Sequence, residues 1–88
     1  MDELRLDGNA VGGVLQAVFG LEMTEAPGTC NACGETDAIG AAYVYLRAPG
    51  AVVRCRNCDN VLIVVVEARE EYVVALSGLK SLHLRADL

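Results

Sequence analysis

Two cysteine pairs with the same internal spacing are the residues of this chain best suited to chemistry. Cys30 and Cys33 lie in Cys30-Asn31-Ala32-Cys33-Gly34, Cys55 and Cys58 lie in Cys55-Arg56-Asn57-Cys58, and 21 residues separate the pairs. Two intervening residues let a tight turn aim both sulfurs at one ion, about 2.3 Å away for zinc, and two such turns complete a tetrahedron. The spacing therefore points to a single structural Zn2+ held by Cys30, Cys33, Cys55 and Cys58. A catalytic zinc keeps one position open for water, and here sulfur fills every position. The lone His83 reads as a polar or partly buried strand residue rather than a ligand. The sequence also lacks a Ser-His-Asp set, a phosphate loop and a dinucleotide fingerprint, so the expectation is a protein that is not an enzyme.

Other uses of four cysteines fit less well. A disulfide within a C-x2-C belongs to thioredoxin-like redox proteins, whose βαβ setting is missing, and bridges between the pairs belong to secreted scaffolds. The amino terminus, Met1-Asp2-Glu3-Leu4-Arg5, is acidic where an export signal is basic, so the expectation is a soluble, cytoplasmic protein. Iron is the sharper rival, because a rubredoxin-like electron carrier also uses two C-x2-C loops. Such proteins shield iron with an aromatic core, and this chain has three Tyr, one Phe and no Trp. After its second sulfur each loop must turn sharply so that backbone N–H groups face the thiolates. Gly34 suits that left-handed conformation, and Asp59, at the matching position, tolerates it better than most residues.

The elements that must position these loops divide into a helical third and a stranded remainder. Asp7 or Asn9 can cap a helix over about 9–20, with Val11, Val14, Leu15, Val18 and Phe19 on one face and Gly20 as its stop. Gly12 and Gly13 each cost about 1 kcal/mol in a helix interior, so that helix needs tertiary support. Residues 24–29 read as a turn-rich connector into the first loop. Beyond it, Ala42, Val44 and Leu46 alternate with Tyr43, Tyr45 and Arg47, and Ala48-Pro49-Gly50-Ala51 predicts a type II turn into a strand ending at Cys55. Val61 to Val66 is apolar on both faces, which predicts a central strand covered twice, once by the helix and once by a partner or another copy. Glu67 to Glu71 reads as a charged turn, Tyr72 to Leu76 as the return strand, and Leu79, Leu82 and Leu84 as a last short strand.

Length and charge bound the function further. Eighty-eight residues make one domain, 1–88, with the metal loops and sheet over 29–85, and a core this small gains from a metal crosslink. The net charge is −5, and four thiolates around one divalent ion add to it, so phosphate backbones are disfavoured partners. No apolar run approaches the roughly 20 residues that span a bilayer, so no membrane association is expected. Tyr43, Tyr45 and Arg47 share a strand face that Arg54 can join, and Arg54 and Arg56 flank Cys55. Those five residues are the candidate partner-binding set, for a peptide or, less in keeping with the charge, for bases.

Two C-x2-C loops joined through a β-hairpin resemble the zinc-ribbon fold group, which includes many transcription-factor and RNA-polymerase-associated modules. The segments Leu6-Asp7-Gly8-Asn9-Ala10, Val18-Phe19-Gly20-Leu21-Glu22-Met23-Thr24, Ala48-Pro49-Gly50 through Arg54-Cys55, and Ser77-Gly78-Leu79-Lys80-Ser81-Leu82 resemble a family of short, uncharacterised actinobacterial proteins of unknown function. That resemblance implies only the metal-binding role of the four cysteines. The expected fold is α+β: one amino-terminal helix on a zinc-ribbon-like antiparallel sheet of four or five strands. The expected function is a structural-zinc module for protein–protein interaction, a homodimer among the candidates, with a nucleic-acid or polymerase-associated ribbon as the alternative.

Overall fold

Strands that alternate apolar and polar residues bury one face, and this chain uses that pattern to build two antiparallel sheets. The computed structural model describes residues 5–7, 13, 16, 23–47 and 50–84. Its strands are β1 (Arg5–Asp7), β2 (Pro27–Cys30), β3 (Thr36–Ala38), β4 (Tyr43–Arg47), β5 (Gly50–Arg54), β6 (Val61–Ala68), β7 (Glu71–Ala75) and β8 (Leu79–Leu82). A five-stranded sheet has the order β1-β4-β5-β6-β7, and a three-stranded sheet has the order β3-β2-β8.

The α+β expectation is corrected by this arrangement. Apart from two isolated residues, Gly13 and Gln16, the helical backbone among the described residues is a 3-10 turn at Ile39–Ala41, and the strands form two sheets rather than one. The helix expected over about 9–20 lies outside the described residues except at Gly13 and Gln16, both helical in backbone and exposed. The supposed connector at 24–29 is also corrected, because its second half is β2, the central strand of the smaller sheet. Gly28 makes that strand hard to read: a Cβ there would press on Leu79 at 3.0 Å and Ile39 at 3.1 Å, so close packing has replaced the side chain that would mark a strand.

The β4-β5 hairpin forms as predicted, with Tyr45 paired to Val52 and Arg47 to Gly50. Its loop, residues 48 and 49, lies outside the described residues. Gly50 is a correction, since it opens β5 instead of occupying the centre of a turn. It pairs with Arg47 on one side and Val66 on the other, and a Cβ there would collide with the Val65 carbonyl oxygen. The charged turn expected over Glu67 to Glu71 is shorter: Glu67 and Ala68 belong to β6 and Glu71 opens β7, so the turn is Arg69-Glu70, where Glu70 takes a left-handed φ of 65°.

The described core is aliphatic and sulfur-rich: Met23, Ile39, Val44, Val53, Ile63, Val65 and Cys30 are almost fully buried. On β6 the neighbours Leu62 and Ile63 are both buried, which simple alternation forbids. The cause is a register shift at Val53/Arg54, where Val53 pairs with Ile63 and Arg54 with Val61, leaving Leu62 as the extra residue of a bulge. The expected second cover of β6 is not found among the described residues: Val64 is half-buried and Val66 exposed. No helix among the described residues is long and apolar enough to cross a membrane.

Candidate metal centre

Each C-x2-C is the loop of a hairpin, the first between β2 and β3 and the second between β5 and β6. The two loops repeat one backbone pattern. The Gly34 N–H donates to the Cys30 carbonyl at 2.9 Å, and the Asp59 N–H donates to the Cys55 carbonyl at 2.8 Å. Closing bonds follow, from the Cys30 N–H to the Glu35 carbonyl at 2.9 Å and from the Cys55 N–H to the Asn60 carbonyl at 2.8 Å. Gly34 and Asp59 both hold left-handed backbone, with φ of 81° and 68°, at the positions where the sequence predicts it. Within each loop the amide of the second intervening residue faces the first sulfur: Ala32 N–H to Cys30 Sγ at 3.4 Å, Asn57 N–H to Cys55 Sγ at 3.3 Å. A register shift lies beside the start of each loop, at Thr29/Cys30 with Lys80 of β8 as the extra residue and at Val53/Arg54 with Leu62 of β6.

The loops bring together all four sulfurs, which lie within 4.8 Å of one another. Cys30 Sγ is 3.6 Å from Cys58 Sγ, and Cys33 Sγ is 3.7 Å from Cys55 Sγ. A regular tetrahedron of sulfurs about 2.3 Å from a central zinc-sized ion has edges of about 3.8 Å, so the separations across the loops fit such an ion. None of the cysteines is in a disulfide. In each loop the first sulfur is buried and the second exposed, which sets the cluster at the surface with its inner half in the core.

Crowding spreads the acidity of the thiols. Burial works against the Cys30 thiolate, but the backbone N–H groups of Cys33 and Ala32 and the sulfurs of Cys58 and Cys33 outweigh it and lower the thiol to about 6. The Asn57 side chain, then the Glu35 backbone N–H, hold Cys33 below its ordinary value. At Cys58 the Asn60 backbone N–H favours the thiolate, yet desolvation and the three neighbouring sulfurs prevail and push it up to about 12.

Around the sulfurs lie polar groups not anticipated from the sequence. Asn60 Nδ2 donates to Cys30 Sγ at 3.6 Å and to Asn31 Oδ1 at 3.3 Å, while Asn31 Nδ2 donates to the Ser77 carbonyl at 2.6 Å. The Asn31 N–H also donates to the Gly78 carbonyl at 2.9 Å, and the Gly78 N–H to the Leu62 carbonyl at 3.3 Å. This chain of bonds ties the first loop to the second and both to the crossing from β7 to β8. A carboxamide within a C-x2-C or just after one, as at Asn31 and Asn60, was the available signal, since amide N–H groups stabilise thiolates.

The candidate partner-binding residues separate into different settings. Tyr43 and Tyr45 are half-buried on β4, and register pairs Tyr43 with Arg54. The Arg54 guanidinium lies 5.8 Å from the centre of the Tyr45 ring and also donates to the Asp59 carbonyl at 2.9 Å, so it clamps the second loop. Arg47 ends β4 in register with Gly50, and Arg56 is exposed in the second loop. His83 is exposed and outside the cluster, with Ser81 Oγ 3.4 Å from its Nε2. A cleft of about 250 Å³ opens beside the buried sulfurs, with Glu35, Asp37, Arg56 and Asn57 among its lining residues.

Two packed sheets, each lending one loop to a four-sulfur cluster, define a small antiparallel β protein with a candidate tetracysteine metal site. The chain belongs to a family of unknown function, DUF6510, whose family model matches residues 2–87. No curated protein and no solved structure matches it.

Proposed function

We propose that the protein is a zinc-ribbon-like module in which one structural Zn2+, held by Cys30, Cys33, Cys55 and Cys58, joins the sheets and leaves a sheet face free for a protein partner. The observation that carries this reading is the complete set of four convergent sulfurs, spaced for a tetrahedral ion. Bound zinc supplies a fixed crosslink, and with every position filled by sulfur it offers no place for a substrate, which supports a binding role over a catalytic one. Zinc is favoured over iron by a described core without aromatic rings. Unbridged thiols suit a reducing compartment such as the cytoplasm.

The test has two arms. Elemental analysis of the purified, colourless protein should return one zinc per chain, and coloured protein carrying iron would overturn the zinc assignment. A photo-crosslinking side chain in place of Val64, on the half-buried outer face of β6, should capture a polypeptide in the cell of origin. Absence of any captured protein, including a second copy of this chain, would remove the protein-binding reading.

A second reading, a nucleic-acid-binding ribbon, is favoured by the Arg54–Tyr45 stack beside Tyr43. A salt-dependent mobility shift with single-stranded DNA or RNA, lost in Tyr45→Ala, would support it; no binding at low salt would end it.

A further inference from the structure

The molecule has sheet edges of unequal character. The edges of the small sheet carry the devices that discourage pairing: β3 holds Asp37 among its three residues, and β8 holds Lys80 and Ser81 among its four. The far edge of the large sheet, β7, reads Glu71-Tyr72-Val73-Val74-Ala75, with no charge after its first residue and neither Pro nor Gly. Tyr72 is 40% and Val73 52% exposed, so both leave apolar surface in solvent, and among the described residues β7 pairs only with β6. A bare, apolar edge of this kind is a template for another strand.

The geometry points to a second copy of this chain as that strand, added antiparallel to β7 across a two-fold axis through Val73. Side chains alternate between faces, so symmetric pairing must bring like faces together, and the register in which all five residues of β7 overlap places Val73 opposite Val73 of the second copy. In that register Glu71 faces Ala75 of the other copy, which keeps the acidic residues of the two edges apart. Tyr72 faces Val74 of the other copy, an aromatic opposite a β-branched residue, the kind of cross-strand pair that stabilises sheets. Val74 already packs against the core, so each Tyr72 ring extends the neighbouring copy's core at its open end. On the opposite face Val66 pairs with Val73, and the two copies together make a continuous apolar row from Val66 to Val66. The result is a ten-stranded sheet assembled from two five-stranded ones.

This inference deepens the protein-binding reading and rests on it. Native mass spectrometry and sedimentation of the zinc-loaded full chain should show a dimer at micromolar concentration. Val73→Lys should halve the mass while keeping its zinc, and Lys80→Glu on β8 should leave the dimer intact. Val73→Cys changes no charge, and with zinc protecting the native thiols it should cross-link under mild oxidation, whereas Lys80→Cys should not. A monomeric wild type across the concentration range, or a dimer indifferent to Val73→Lys with no Val73→Cys cross-link, would overturn the pairing. A monomer that still captures a different polypeptide through position 64 would separate failure of the dimer from failure of the binding role.

Discussion

The two sheets solve the problem of stability in different ways. The larger has strands of up to eight residues, and Val44, Val53, Ile63 and Val65 on its inner face are almost fully buried. The smaller has strands of three and four residues, and its outer strands are largely exposed. A sheet so short cannot bury enough apolar surface to offset the entropy of ordering its chain. It is held by what it shares with its neighbour: the sulfur cluster, the Asn31–Asn60 bridge, and Gly78, which passes from one sheet to the other against β6. The four-sulfur cluster therefore matters more to the smaller sheet than to the larger.

Metal removal should disturb the molecule most, and the two sheets unequally. Structural zinc contributes roughly 10–16 kcal/mol to small modules, so chelation or Cys55→Ser should abolish hydrogen-exchange protection in β2, β3 and β8 while β5 and β6 keep part of theirs. Simultaneous, complete loss in both sheets would show them to be one cooperative unit. Next comes the crossing itself. A Cβ at Gly78 would run into the Val61 carbonyl, so Gly78→Ala should lower unfolding free energy in urea by about 3 kcal/mol or more. Gly34→Ala meets open space and has only its positive φ to resist it, so about 1–2 kcal/mol is expected. An equal loss in the two variants would mean the crossing is no more critical than a loop.

Smaller effects sharpen the picture around the sulfurs. Asn60→Leu removes the amide that reaches both Cys30 and Asn31, and zinc affinity in a chelator competition should fall about 10- to 100-fold. An unchanged affinity would confine Asn60 to a packing role. Arg54→Gln should cost only about 0.5 kcal/mol, because its 3.8 Å ion pair with Asp59 is exposed and screened. A much larger loss would make the clamp on the second loop a main support of the site.

Part of this architecture is legible in the residues alone. The two C-x2-C loops and the left-handed turns at Gly34 and Asp59 follow from local chemistry, as do the β4-β5 pairing and the β6-β7 return, because each depends on residues a few positions apart. The smaller sheet is not legible in that way. Pro27-Gly28-Thr29-Cys30 lacks the apolar alternation of a strand, since Gly28 lies under Leu79 and Leu82, more than 50 residues onward. The doubled burial of Leu62 and Ile63 reads as a strand covered on both faces, whereas a bulge beside Arg54 produces it. Gly50 reads as a turn residue because the sequence does not display the Val65 carbonyl that excludes a side chain there.

The sequence alone carries the candidate ligand set and the local turns that aim it, because thiolate chemistry and backbone sterics act over four or five residues. The three-dimensional fold alone brings the four sulfurs from two different sheets, lets Asn60 reach Cys30 across 30 positions, and leaves β7, among the described residues, at an edge of the larger sheet. Those outcomes depend on which short strands find one another, and strands of three to five residues gain too little alone for their own patterns to specify the partner.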